Sequence, residues 1–243
     1  MASRRSGLAM MTTAAVTACS VLAACSGSST PRASETVAGA EAAGPVAGTD
    51  GSPSTVVVAF LGDSITAGLG LLENQAYPAR MKELFMADGY DVEVVNGGVS
   101  GDTTASGLRR YEQLLTGGTK VLVVALGGND ALRGLGVKQT HDNLAAIIDG
   151  ATARGVAVVV VGMEAPTNLG DDYRTAFHDV FIDLLREYRT SVGFVPFLLE
   201  GVAGNSALNQ PDGIHPTAEG ARIIAASLYP KVREAVDRVS GSR

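Results

Sequence analysis

Short, nearly continuous apolar runs constrain this 243-residue chain more than any other feature. Those at 55–61 (TVVVAFL), 120–126 (KVLVVAL) and 156–162 (VAVVVVG) have the length of strands. A strand with one wet face alternates apolar and polar residues. An unbroken run marks a strand covered on both faces, as in a parallel sheet flanked by helices. Weaker runs at 91–95 (DVEVV) and 193–197 (GFVPF) extend the series. Helical stripes lie between and after them: Tyr77, Met81, Leu84 and Phe85; Leu108, Tyr111 and Leu115; Leu144, Ile147, Ile148 and Ala151; Phe177, Phe181, Leu184, Leu185 and Tyr188; then Ile223, Ile224, Leu228, Val232 and Val236. Pro230 predicts a kink or a split in the last of these. Five alternations of strand and helix argue for an α/β domain: a three-layer open sheet of five parallel strands with helices on both faces, over residues 55–239.

In such sheets, sites form where the strands end at their carboxyl edge. Gly62-Asp63-Ser64 follows the first run, and Asn96-Gly97-Gly98-Val99-Ser100-Gly101-Asp102 the second. Gly127-Gly128-Asn129-Asp130 follows the third, and Glu164-Ala165-Pro166 the fourth. Ser64, between a strand and a helix, is either an N-cap or a hydroxyl presented in the positive field of a helix start. It is not the Gly-x-Ser-x-Gly elbow, because Thr66 stands where the second Gly belongs. Asp212-Gly213-Ile214-His215-Pro216 places a carboxylate three residues from an imidazole, the base and orienting acid that a serine nucleophile needs. Alone, Asp212 reads equally well as a turn residue. The other histidines, His141 and His178, fall inside helical patterns. Gly101 can offer an unobstructed backbone N–H and Asn129 a neutral amide to a developing oxyanion. Gly-Gly-Asn-Asp by itself is also an ordinary turn composition.

Taken together and in chain order, these four segments resemble the blocks of the SGNH (GDSL-type) hydrolases. They are closest to the bacterial branch of thioesterase I/lysophospholipase L1 and the arylesterases. Gly128-Asn129-Asp130-Ala131-Leu132-Arg133-Gly134 and Ala165-Pro166-Thr167-Asn168-Leu169-Gly170 carry the resemblance further, so that it spans about residues 56 to 236. It implies the flavodoxin-like strand order 2-1-3-4-5. It implies Ser64 as nucleophile, His215 as general base and then acid, and Asp212 as the group that orients His215. It further implies an oxyanion hole from the Ser64 and Gly101 N–H groups and the Asn129 amide. Two positions depart from the pattern. Gly97 and Gly98 predict a loosened loop before Gly101, and Glu164 stands where a basic or neutral residue is expected.

The implied function is a serine esterase acting on carboxylic esters of short-to-medium acyl chains, with thioesters and lysophospholipids in range. Leu69, with Leu71 and Leu72 beside it, and Pro166 and Asn168 are the candidate substrate-binding residues. A carbohydrate O-deacetylase and a non-catalytic surface-binding module are the competing readings. No cofactor is called for: there is no His-Glu-x-x-His, no cysteine pair in the domain and no Gly-x-Gly-x-x-Gly after a strand. With 19 basic against 25 acidic residues the net charge is −6, which argues against a nucleic-acid partner.

The N-terminus reads separately. Arg4 and Arg5 precede a small, apolar run to about Leu22, the layout of an export signal over residues 1–24. It ends in Leu22-Ala23-Ala24-Cys25, which resembles a lipobox with Cys25 as the lipidated residue. Residues 25–54, rich in Ser, Gly, Ala, Thr and Pro, read as a tether. The expectation is an exported domain anchored to the outer face of the cell membrane; plain secretion is the alternative. Cys19 and Cys25 are the chain's two cysteines, so the domain has neither disulfide nor thiol.

Overall fold

The computed structural model describes residues 55–241; the expected export signal, Cys25 and tether lie outside the described residues. The elements run β1 (Val56–Gly62), α1 (Ser64–Ala67), α2 (Tyr77–Ala87), β2 (Val92–Gly98), α3 (Thr104–Leu114), β3 (Thr119–Ala125), α4 (Gly128–Leu132), α5 (Val137–Thr152), β4 (Ala157–Val161), α6 (Asp171–Tyr188), β5 (Gly193–Val195) and α7 (Ala218–Ser240). The five strands form one parallel sheet in the order β2-β1-β3-β4-β5. No helix among the described residues is long and apolar enough to cross a membrane.

The three Val-rich runs are the inner strands, and their burial accounts for their composition. Val58 to Leu61, Val121 to Ala125 and Val158 to Val161 are buried between helices on the two faces. The amphipathic helices close over them with the stripes read from the sequence. Tyr77, Met81 and Phe85 of α2, Ile147 and Ile148 of α5, Phe177 of α6 and Leu228 and Val232 of α7 are all fully buried. Leu185, at the margin of the α6 stripe, is exposed instead.

Helix α7 runs unbroken from Ala218 to Ser240 with Pro230 inside it, so the expected split does not occur. A helical proline leaves the carbonyl four residues back without its partner. Here that residue, Ala226, and Pro230 itself are both exposed, so water can take the place of the lost donor. The buried stripe continues through Leu228 to Val232 on the opposite side and holds the helix together across the gap.

Gly97 and Gly98 are a second correction. Asn96, Gly97 and Gly98 belong to the strand, pairing with Phe60, Leu61 and Gly62 of β1. A Cβ on Gly98 would come within 2.7 Å of both the Ala67 Cα and the Thr66 carbonyl carbon, and closer still to the Ala67 nitrogen. Asn96 locks the same contact: its Nδ2 donates to the Thr66 carbonyl at 2.9 Å and its Oδ1 accepts from the Gly98 N–H at 2.9 Å. These residues therefore seat the α1 turn on the sheet rather than loosen a loop. Gly98→Ala is expected to destabilise the fold by about 1–3 kcal/mol, because rigid backbone stands in the way. Thermal unfolding checks this, each kcal/mol lowering Tm by about 2–4 °C in a domain of this size.

Candidate active site

β1 delivers Gly62-Asp63-Ser64 to the carboxyl edge of the sheet, and the sharp turn into α1 assigns different roles to neighbouring residues. Asp63, not Ser64, is the N-cap: its Oδ1 accepts from the Ile65 N–H at 3.0 Å. That leaves the Ser64 hydroxyl uncommitted to the helix, and Ser64 occupies the first helical position, where a backbone N–H has no intrahelical acceptor. The hydroxyl instead meets His215, with Ser64 Oγ and His215 Nε2 at 2.8 Å. On the far side of the ring His215 Nδ1 lies 2.7 Å from Asp212 Oδ2. Hydroxyl, imidazole and carboxylate thus touch in series across 151 residues of sequence separation.

The loop that carries the imidazole is held by its own backbone. Asp212 Oδ1 accepts from the N–H groups of Ile214 and His215, at 2.9 and 3.0 Å. Those two amides and the imidazole keep the Asp212 carboxyl down at about 2, with the His215 amide the largest cause. Asp212 is consequently a carboxylate throughout the neutral range. Gln210, which sequence reasoning missed, fastens this loop to the serine turn: its Nε2 donates to the Leu69 carbonyl at 2.7 Å and to the Pro216 carbonyl at 3.0 Å. Neither periodicity nor a motif marks such a residue, since its value lies in reaching a segment 141 residues away.

The candidate oxyanion donors come from two further loops. Asn129 lies in α4 and lines the same cavity as Ser64; its Nδ2 makes one long hydrogen bond, 3.3 Å, to Asp63 Oδ2, and the second amide hydrogen has no partner among the described residues. Gly101, with φ +84°, has the left-handed backbone that glycine tolerates best. Its carbonyl accepts from Arg133 at 2.9 Å, and its N–H has no hydrogen-bond partner among the described residues. Asp130 ties the two loops together: this buried carboxylate accepts from the Thr104 N–H at 2.8 Å and the Thr104 hydroxyl at 2.6 Å. Arg110 adds a second tie, to Asp102 at 2.6 Å and to the Gly62 carbonyl at 2.9 Å.

Ser64, Asn129 and His215 open onto a cavity of about 340 Å³ whose far walls are apolar, with Leu132, Met163, Phe197, Leu199 and Ile214 among them. Pro166 lines it; Leu69, Asn168 and Gly101 do not. Leu69 is exposed on the loop that Gln210 holds, and Asn168 sits in the short 3-10 turn Thr167–Leu169. Phe197 and Leu199 come from beyond β5, a stretch whose sequence carries no chemical motif. Among the described residues no cluster of His, Cys, Asp and Glu could hold a metal ion.

The arrangement can transfer a proton from hydroxyl to imidazole, and Asn129 brings an amide donor to the cavity that Ser64 lines, features that attack on an acyl carbon requires. The sequence agrees with that chemistry on a wide front: the model of the GDSL-like Lipase/Acylhydrolase family matches residues 60–223. The chain belongs to that family. Among curated members of the GDSL-like family, it is 40% identical to Esterase TesA of Pseudomonas aeruginosa over 174 residues, 71% of this chain and 86% of the relative. It is 32% identical over 182 residues to Thioesterase 1/protease 1/lysophospholipase L1 of Escherichia coli K12, 74% of this chain and 85% of that one. The crystal structure of TesA superposes with a TM-score of 0.70 at 37% identity, covering 74% of this chain and 99% of that one.

Asp63 gives this GDSL-family site a measurable pH signature. Burial pushes its carboxyl up from 3.8 to about 6, against the downward pull of the Ile65 amide, His215 and Asn129. Between those two values the folded chain holds a proton that the unfolded chain has released, so this group makes stability fall as pH rises through that window. The loss amounts to about 3 kcal/mol. Asp212 acts in the opposite sense, its contribution present above 3.8 and lost as pH falls toward about 2. Asp63→Asn is expected to remove the decline between pH 4 and pH 6, as measured by denaturant unfolding across that range.

Proposed function

We propose that this chain is a serine esterase that hydrolyses carboxylic esters of short-to-medium acyl chains through an acyl-enzyme on Ser64. The observation that carries the reading is the unbroken hydrogen-bonded series Ser64–His215–Asp212 opening onto an apolar cavity. His215 takes the Ser64 proton as Oγ attacks the ester carbonyl, then returns it to the departing alcohol. A water, deprotonated by the same nitrogen, then releases the acid. Asp212 stabilises the imidazolium that forms in each half-cycle. The Ser64 N–H, the Gly101 N–H and the Asn129 amide receive the oxyanion, each such donor contributing about 2.7–4 kcal/mol. Names of similar proteins, an esterase and a thioesterase/lysophospholipase, support the reaction class.

The apolar walls favour acyl chains over a sugar acetyl group. A panel of aryl esters of increasing acyl length, set beside acetylated sugars, tests this. Turnover should rise beyond acetyl as methylenes enter the cavity, by up to about tenfold each, then fall once the chain outgrows it. Preference for the acetylated sugars would favour the O-deacetylase reading.

For the N-terminal region we propose lipidation at Cys25, supported by the lipobox-like Leu22-Ala23-Ala24-Cys25. Cys25→Ser should then move the full chain from the membrane to the soluble fraction, and continued membrane association would refute the anchor.

A further inference from the structure

The residues lining the cavity at Ser64 include two carboxylates, Asp63 and Glu164, and no lysine or arginine. Asp63 is buried, capping α1 and touching Asn129. Glu164 differs. It follows β4 between two buried residues, Met163 and Ala165, and its own side chain is 41% exposed at the cavity wall. Its hydrogen-bond partner among the described residues is His178 of α6, whose Nδ1 lies 2.8 Å from Glu164 Oε1 and holds the carboxylate in place. Of the arginines on nearby segments, Arg110 is paired with Asp102, and Arg133 donates to the Gly101 carbonyl; neither lines the cavity. Beside the apolar residues the cavity lining therefore carries a solvent-facing carboxylate, with no arginine or lysine among the residues that line it.

We propose that Glu164 is a specificity-determining residue that sorts esters by charge, so that the site takes neutral and cationic esters and turns away anionic ones. The proposal rests on the esterase reading of Ser64. A unit charge on a substrate several ångströms from a half-exposed carboxylate, in a dielectric between that of protein surface and water, changes relative kcat/KM by about tenfold. Because Glu164 is in contact with solvent, salt should weaken the discrimination. The sign is fixed by the carboxylate; which end of the ester faces it is an outcome of the test.

The experiment compares kcat/KM of the wild-type chain, Glu164→Gln and Glu164→Lys on four esters. One is a neutral aryl ester, one a choline ester with its cation on the alcohol. The third is an aminoacyl ester with its cation on the acyl group, and the fourth a hemisuccinyl ester with an acyl anion. Each charged ester is read as a ratio to the neutral one. At low salt, Glu164→Gln should lower at least one cation-to-neutral ratio by about tenfold and, where the responding ester is the aminoacyl one, raise the hemisuccinyl-to-neutral ratio by as much. Glu164→Lys should move the responding ratios further, and added salt should shrink the changes. The cationic ester that responds identifies the end of the substrate facing Glu164. Ratios unchanged in both variants, including an equal fall on all four esters, would overturn the assignment and leave Glu164 a structural residue. Failure of wild type to hydrolyse the neutral ester, or equal hydrolysis by Ser64→Ala, would instead overturn the esterase reading and this proposal with it.

Discussion

Ser64→Ala and His215→Ala are each expected to lower kcat by about a millionfold, and the double variant to do no worse. The reason is geometric. Ser64 Oγ and His215 Nε2 share one hydrogen bond of 2.8 Å, so the hydroxyl without its base is a weak nucleophile and the base without its hydroxyl has no proton to take. Removing either member removes the same event, which is why the losses do not add. A residual rate of about 10³–10⁴ over water should survive, supplied by the cavity and the oxyanion donors alone. KM for a neutral ester should change little, because the apolar walls are untouched. Steady-state kinetics on a purified, folded variant measures all three quantities. Losses that multiply in the double variant would mean that the two residues act independently.

Asp212→Asn should cost about 10⁴ in kcat while leaving the fold intact. An amide has the shape of the carboxylate and can still accept from the Ile214 and His215 N–H groups through its oxygen. What then faces His215 Nδ1 at 2.7 Å is an NH₂ donor in place of an acceptor. The ring is driven to the tautomer that carries its hydrogen on Nε2, and the lone pair that should receive the Ser64 proton is lost. The imidazolium formed during catalysis also loses its counter-charge. Since Asp212 is already ionised well below neutrality, wild-type activity near pH 5 should not fall through protonation of this residue. A loss under tenfold in Asp212→Asn would show that another group orients the ring.

What the sequence revealed follows from which interactions are local. The inner strands β1, β3 and β4 were legible because burial on both faces demands unbroken apolar runs. The edge strand β2 was read three residues short, because Asn96-Gly97-Gly98 looks like a loop. Its place in the sheet comes from pairing with Phe60, Leu61 and Gly62, a contact at long range. Pro230 was read as a kink or a split because propensity is local, whereas the buried stripe of α7 and a solvent-facing carbonyl keep the helix continuous. Within the site, residues whose chemistry is carried by their type stood out: Ser64, His215, Asp212 and Asn129. Those that work by reach did not. Gln210, Arg110 and Asp130 fasten loops to one another, and Phe197 and Leu199 fill a wall; such roles exist only once the chain has folded.

The most direct test of the account is covalent. A reactive organophosphonate should phosphonylate the intact chain at a ratio of one, with loss of esterase activity in step with labelling. Peptide mass spectrometry should place the adduct on Ser64, and Ser64→Ala should take up none. An adduct on another residue, or full activity in a chain labelled at Ser64, would contradict it.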